Sequence, residues 1–133
     1  MKVVDTGFLV DLLLSDDGAI RKAREIDERG WAATTAINVY ELIFLLNFRL
    51  HLKTEDWLPA VESLLGRLDV FTFDSEAAFE AGRMLGSLWA EYEEVELLDG
   101  LVAAIAKVNG CESIVTRDAE RYSSFKDLKI ESY

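Results

Sequence analysis

The sequence is 133 residues long and 50% hydrophobic, which predicts a single domain spanning residues 1–133 around one core. Its 25 acidic and 14 basic residues give a formal net charge of −11, which repels a phosphate backbone and argues against general coating of nucleic acids. Because Cys111 is the only cysteine and His51 the only histidine, the sequence excludes an internal disulfide and a Cys/His zinc site, and any metal must be held by oxygen.

The opening segment predicts a short buried strand that delivers an aspartate to the carboxyl edge of a sheet. Val3 and Val4 run into Asp5, and a helical apolar pattern starts directly after it at Thr6-Gly7. Ligands of open α/β sheets bind at this edge, where a buried carboxylate is costly unless a cation neutralises it. Asp5 is therefore expected to be ion-paired or a metal ligand. The apolar run is too short to cross a bilayer, so we expect a soluble, cytoplasmic protein with no membrane partner.

The next segments predict a helix, a strand and a longer helix. Ala19 to Arg29 is amphipathic, residues 31–35 have strand character, and Thr35 can cap a helix that runs from Ala36 to about Leu52. Polar residues are scattered around this longer helix, so it has no clean face for solvent. This pattern predicts burial on most sides. Glu41 lies on its apolar stripe, where a lone carboxylate is strongly disfavoured. A salt bridge to an arginine and a role in a site both remain open for Glu41.

The middle of the chain predicts two more helices and a strand. A helix from about Trp57 to Leu68 adds apolar surface beyond what a small sheet can cover, and a subunit interface is one way to bury the excess. A strand near residues 70–73 follows, and Ser75 can cap the next helix. In that helix, Gly82 and Gly86 would allow close contact with a neighbouring helix.

The third informative segment is a buried helix with one carboxylate. From Leu97 to Ala106 the only ionisable residue is Asp99, which lies in the first turn, where the helix dipole favours negative charge. Gly100 is unfavourable inside a helix, so another group is expected to approach closely there. A β-branched strand near 113–117 then ends at Asp118, which repeats the pattern of the opening segment.

The alternation of strands and helices predicts an α/β fold, a three-layer α/β/α sandwich with a central parallel five-stranded sheet. If the first and fourth strands are neighbours, Asp5 and Asp118 share the carboxyl edge, and helices that begin there can bring Glu41 and Asp99 into the same crevice. Carboxylates that lie close together in one crevice raise one another's pKa unless a cation is present. The pattern therefore predicts bound Mg²⁺ or Mn²⁺. Such an ion supports hydrolysis of a phosphodiester. The predicted strands lie near residues 2–5, 31–35, 70–73, 113–117 and 129–132.

Four motifs, in this order and spacing, resemble those of the PIN-domain ribonucleases, and most closely the small VapC-type toxins. They are Val-Val-Asp5-Thr6, Asn-Val-Tyr-Glu41-Leu, Glu-Leu-Leu-Asp99-Gly-Leu-Val-Ala-Ala and Val-Thr116-Arg117-Asp118. The resemblance implies that the four acidic residues bind Mg²⁺ or Mn²⁺ and are catalytic in RNA cleavage. It also implies that Thr116 and Thr6 support the site by orienting a ligand or water.

The same resemblance implies partners. It predicts the toxin of a type II toxin–antitoxin pair, an RNA substrate, a homodimer, and a small cognate antitoxin whose tail enters the acidic cleft, often with a basic residue. The chain departs from the family pattern at Gly7, where a small polar or apolar residue is commoner, and at Arg121, where a further acidic residue is frequent. The second departure puts a second metal site in doubt. Arg121 and Arg117 could contact RNA phosphate, or each could form a salt bridge.

Two other protein classes are compatible with a small α/β chain. A catalytically silent PIN-like module would bind a partner only, and the intact acidic positions argue against it. A phosphoacceptor receiver-type domain would need an acidic neighbour beside Asp5 and a supporting lysine for Asp74, and the sequence has neither.

Overall fold

A computed structural model describes residues 1–48, 53–91 and 93–133, and the predicted five-stranded parallel sheet lies within these ranges. All strand pairings are parallel, and the order across the sheet is β3-β2-β1-β4-β5. The α/β fold class and the adjacency of the first and fourth strands are confirmed. The strands are Lys2–Val4 (β1), Ala32–Thr35 (β2), Asp69–Phe71 (β3), Ser113–Val115 (β4) and Lys129–Glu131 (β5).

Helices connect the strands, and side-chain hydrogen bonds cap the starts of several of them. Asp5 Oδ1 accepts a hydrogen bond from Phe8 N at 3.0 Å, and Thr35 Oγ1 accepts one from Asn38 N at 3.2 Å, as the sequence predicts for Thr35. The predicted cap at Ser75 is wrong, because Asp74 Oδ1 accepts from Ala77 N and Ser75 is the first helical residue. The helices are Thr6–Leu13 (α1), Asp17–Arg29 (α2), Ala36–Phe48 (α3), Thr54–Leu65 (α4), Ser75–Ala90 (α5) and Leu97–Val108 (α6), with a short 3₁₀ helix at Ala119–Tyr122.

The predicted end of α3 near Leu52, and with it His51, lies outside the described residues. Within the described ranges, none of the helices is both long enough and apolar enough to cross a membrane.

The sheet carries a hydrophobic cluster on each face. Successive strand residues point to opposite faces, so Val4 belongs to one cluster and Val3 to the other. The first cluster includes Phe8, Leu42 and Trp57 from the helices α1, α3 and α4. The second includes Val102, Ala103 and Ala106 from α6 and Tyr122 from the 3₁₀ helix. Two helical layers around one sheet make the three-layer sandwich.

Helix α3 is less buried than its sequence predicts. Leu42 and Leu46 are in the core, but Tyr40, Phe44 and Phe48 are 59%, 50% and 63% exposed. The scatter of polar residues, which leaves no clean solvent face, predicted burial on most sides, and that prediction is wrong because only one side of α3 contacts the core of the chain. In contrast, α4 uses its apolar stripe internally, since Trp57 and Val61 are buried there.

Two helices, α5 and α6, pack closely at a glycine. An ideal Cβ on Gly100 would lie 2.3 Å from Leu85 Cδ2, so the predicted close approach is confirmed and the neighbour is Leu85 of α5. The expectation for Gly82 and Gly86 is wrong, because a Cβ on either would have no atom within 4 Å. The close contact of this helix pair depends on the glycine of α6 and not on those of α5.

Candidate active site

The sheet order places a crevice between β1 and β4. The chain builds β1, β2 and β3 outward in one direction and β4 and β5 in the other, and ligands of open α/β sheets bind at such a switch point. Asp5 follows β1 here, and its backbone N–H donates to the carbonyl of Val115 at the end of β4 at 3.1 Å. The Asp5 side chain is 2% exposed and caps α1 through Phe8 N. One aspartate therefore terminates a strand, starts a helix and faces the crevice.

Glu41 reaches the same crevice from α3, where a chain of polar side chains orients it. Thr6 Oγ1 donates to Glu41 Oε1 at 3.1 Å, and Asn38 Nδ2 donates to Thr6 Oγ1 at 3.1 Å. Asn38 is 1% exposed and accepts at 2.7 Å from Thr35 Oγ1. Sequence reasoning missed Asn38, although its position three residues after the capping Thr35 and three before Glu41 was the available signal. The predicted supporting role of Thr6 now has a geometric basis.

Asp99 lies in the first turn of α6, as predicted, and is 1% exposed. Arg121, from the 3₁₀ helix, holds it through two hydrogen bonds: Nε to Oδ2 at 3.1 Å and Nη2 to Oδ1 at 2.5 Å. This is the fork-to-fork geometry that makes arginine–carboxylate pairs strong. The Arg121 side chain is itself 37% exposed, so the buried Asp99 is paired with a side chain that borders solvent.

Asp118 lies at the rim of this group. Its residue is exposed, while the neighbouring Thr116 is fully buried and accepts a hydrogen bond from Asp118 N at 3.1 Å. Burial raises the pKa of Asp99, and the charges of Glu96 and Asp118 add to that rise. The Thr116 side chain also lowers the pKa of Asp5, so it acts on the carboxylates that follow both strands.

Arg117 is anchored by Asp11, a carboxylate outside the group formed by Asp5, Glu41, Asp99 and Asp118. Its Nη1 lies 2.7 Å from Asp11 Oδ1, and Tyr133 Oη donates to the other oxygen of Asp11 at 2.7 Å. Its guanidinium crosses the start of α1, since a Cβ on Gly7 would lie 3.1 Å from Arg117 Nε. The departure from the family pattern at Gly7 leaves room for this arginine.

The carboxylates of the buried Asp5 and Asp99 and the half-buried Glu41 share one electrostatic environment. Burial raises the pKa of Asp5, Glu41 and Asp99 above their ordinary values, and burial is the largest cause in each case. The positive charge of Arg121 opposes this rise at all three. The charge of Asp99 raises the pKa of both Asp5 and Glu41. The crevice therefore collects more negative charge than its arginine neutralises.

This donor set fits a hard divalent cation by ligand type, because it offers carboxylate and hydroxyl oxygens and no sulfur. As the side chains stand, however, no group of three acidic, histidine or cysteine side chains is arranged to hold one ion anywhere in residues 1–48, 53–91 and 93–133. Arg121 is one reason why these side chains are not arranged around one ion, since it donates hydrogen bonds to both oxygens of Asp99. Binding a cation at Asp99 therefore requires a side-chain rearrangement.

Comparison with known proteins gives one family match and several similar structures. A family model described as the PIN domain matches residues 2–129. VapBC2 from Rickettsia felis, bound to a DNA fragment from its promoter, has a TM-score of 0.83 at 19% identity over 99% of this chain and 98% of that one. DNA-bound VapBC from Salmonella typhimurium has a TM-score of 0.79 at 23% identity over 98% and 96%.

A third similar structure is that of a toxin alone. VapC20 from Mycobacterium tuberculosis, a sarcin–ricin loop cleaving toxin, has a TM-score of 0.68 at 18% identity, and the match covers 86% of this chain and 87% of that one. None of the curated proteins matches. At these identities the structural likeness establishes the fold alone, whereas the family model spans nearly the whole chain.

Proposed function

Since this chain belongs to the PIN-domain family, we propose that it is a metal-dependent endoribonuclease that hydrolyses RNA phosphodiester bonds. PIN-domain nucleases generally use divalent metal ions. The observation that carries the proposal is the convergence of Asp5, Glu41 and Asp99 at the switch point of the sheet, where burial raises the pKa of all three and the charge of Asp99 adds to the rise at Asp5 and Glu41. The family match also removes the receiver-type alternative, and it supports the PIN resemblance found in the sequence.

In this proposal Asp5, Glu41 and Asp99 hold Mg²⁺ or Mn²⁺, and Asp118 completes the acidic group from the rim. The ion, when bound, supplies positive charge that stabilises the negative charge developing on phosphate and makes an attacking water more acidic. Both ions prefer oxygen ligands and bind phosphate groups together with one or two carboxylates.

The other residues of the crevice orient the carboxylates. Thr6, fixed by Asn38, directs Glu41 inward, and Thr116 holds Asp5 while it fixes the backbone at Asp118. Such supporting hydrogen bonds keep ligands in place and tune their basicity. Arg117 is 56% exposed beside the crevice, and we assign it a contact with RNA phosphate.

We also propose that the chain is the toxin of a type II toxin–antitoxin pair that acts in the cytoplasm. Two of the similar structures are VapBC complexes, and a third protein is described as a sarcin–ricin loop cleaving toxin. The formal net charge of −11 favours a basic partner, as expected of an antitoxin tail that enters an acidic cleft. A second copy of the chain is the other proposed partner, which would form a homodimer.

The experiment incubates purified protein with RNA in Mg²⁺ or Mn²⁺ and compares Asp5→Asn with the wild type. We expect Asp5→Asn and excess EDTA each to lower cleavage by about a hundredfold or more, because both remove the ion or its ligand. Asp69→Asn, at an exposed aspartate of β3, is the matched control and should cleave normally. Cleavage that survives in Asp5→Asn protein would point to a contaminant and contradict the proposal.

One observation favours a second candidate, a catalytically silent PIN-like binding module. Arg121 already neutralises Asp99, so the acidic group could serve only to receive a basic partner. This candidate predicts tight binding of a cognate antitoxin together with undetectable Mn²⁺ binding and RNA cleavage. Either activity, lost in Asp5→Asn, would exclude it.

A further inference from the structure

The ion pair between Arg121 and Asp99 differs from the other arginine–carboxylate pairs that the structure describes. Its carboxylate is 1% exposed and belongs to the proposed metal site, whereas the carboxylates paired with Arg29, Arg67, Arg83 and Arg117 are 41%, 59%, 15% and 13% exposed. Both oxygens of Asp99 accept hydrogen bonds from the one guanidinium. The guanidinium therefore occupies one accepting position on each oxygen of the buried aspartate and supplies its counter-charge.

These two hydrogen bonds from Arg121 directly affect metal binding at Asp99. A divalent cation must approach at least one oxygen of Asp99 to about 2.0 to 2.2 Å. A guanidinium on both oxygens repels that cation, because two positive charges would meet at one carboxylate in a poorly solvated crevice. The cation and Arg121 thus compete for Asp99.

The competition is reversible because of where Arg121 is anchored. It lies on a 3₁₀ helix of four residues at the surface, and its side chain is 37% exposed. A long side chain that already borders solvent can leave the carboxylate by rotating about its own bonds, without movement of α6 or of the sheet. Removal of the guanidinium leaves Asp99 buried with an unbalanced charge, which a cation then neutralises.

We propose that Arg121 determines the metal affinity of this site: it is the resident counter-ion of Asp99, and a divalent cation binds there only after the guanidinium has left. The inference rests on the proposed metal site but not on cleavage of RNA. Arg121 is therefore an affinity-setting residue that competes with the cofactor, and it is not the RNA contact that its charge alone would indicate.

The test measures Mn²⁺ binding by electron paramagnetic resonance and titration calorimetry, with no RNA present. We expect Arg121→Gln to bind Mn²⁺ about tenfold tighter than wild type or more, because the competing charge is gone. Arg121→Lys should fall between the two, since a lysine keeps the charge but cannot hold both oxygens. Arg83→Ala is the matched control, because it removes another two-bonded pair, that with Glu80, and should leave Mn²⁺ affinity unchanged.

Thermal unfolding gives a second readout that a structural role alone would not produce. In EDTA at neutral pH, Arg121→Gln should melt below wild type, since Asp99 loses its counter-ion. Saturating Mn²⁺ should then raise the melting temperature of Arg121→Gln more than that of wild type. If Arg121 were purely structural, Arg121→Gln would melt below wild type by the same amount in EDTA and in Mn²⁺. That result would overturn the proposal.

The remaining outcomes separate this inference from the proposed function. Tighter Mn²⁺ binding by Arg121→Gln without any RNA cleavage would support the inference and contradict the nuclease. Unchanged or weaker Mn²⁺ binding would overturn the inference, and a raised KM for RNA in the same variant would assign Arg121 to the substrate instead. The absence of Mn²⁺ binding by wild type and variant alike at millimolar concentration would also overturn it.

Discussion

At the scale of the residue, Asp5 combines two roles that conflict energetically. As the cap of α1 it stabilises a helix start, and as a carboxylate that is 2% exposed it is held where charge is disfavoured. Its raised pKa records the second effect, since burial outweighs the hydrogen bonds from Thr116 and Phe8 that lower it. If this position served folding alone, an uncharged residue could cap α1 without the cost of a buried carboxylate.

Asp5→Asn should therefore stabilise the metal-free protein while it removes activity. Asparagine keeps the cap to Phe8 N and removes the buried charge, so we expect a gain of about 1 kcal/mol in the free energy of unfolding at pH 7 in EDTA. Because the folded pKa of Asp5 is raised, its favourable contribution is present below the ordinary value of 3.8 and is lost as the pH rises through the folded pKa.

The gain from Asp5→Asn should accordingly be small in acid and grow toward neutral pH. Denaturant unfolding at several pH values, with Asp69→Asn as an exposed control expected to change stability by less than about 0.5 kcal/mol, measures this dependence. A gain that shrinks with rising pH would contradict the account of Asp5 as a desolvated carboxylate.

At the scale of the element, the contact between α5 and α6 positions Asp99. Gly100 follows Asp99 directly, and Leu85 occupies the space that a side chain at this position would need. The glycine is unfavourable for the helix but lets α6 lie against α5 with its first turn at the crevice. Helix packing and site geometry are thus linked through one position.

Gly100→Ala should destabilise the fold by about 1 to 3 kcal/mol, because the new methyl group would overlap Leu85 and force α5 and α6 apart. Gly82→Ala, in α5, is the matched control, because its Cβ meets no atom within 4 Å. Alanine there should raise the free energy of unfolding by about 0.5 to 1 kcal/mol. Chemical denaturation of the two variants tests the pair. Equal effects would contradict the steric role of Gly100.

Elements and single site residues differ in how far the sequence predicts them. The strand ends that deliver Asp5 and Thr116, and the apolar helix around Asp99, follow from local patterns, so they could be predicted. The bond between Arg121 and Asp99 spans 22 positions and depends on where a short 3₁₀ helix lies, which no periodicity encodes. The exposure of α3 was mispredicted because an apolar residue looks the same whether its own chain or a partner covers it.

At the scale of the whole molecule, that exposed face of α3 is the clearest candidate for a subunit contact. Tyr40, Phe44 and Phe48 form a continuous row, with ring centroids 6.2 and 5.4 Å apart, and each side chain is at least half exposed. A row of aromatic residues in water is unusual for a monomer and typical of an interface. The row lies on the helix that carries Glu41, so association there would border the crevice.

Phe44→Glu should therefore convert the proposed homodimer into a monomer, because it places a charge at the centre of the row. Sedimentation velocity gives the oligomeric state, and the free energy of unfolding of the monomer should change by less than about 0.5 kcal/mol, since Phe44 is 50% exposed. Phe79→Glu, on α5 at 76% exposure, is the matched control and should remain dimeric. Dissociation by Phe79→Glu alone would move the interface to α5, and a monomeric wild type would contradict the homodimer.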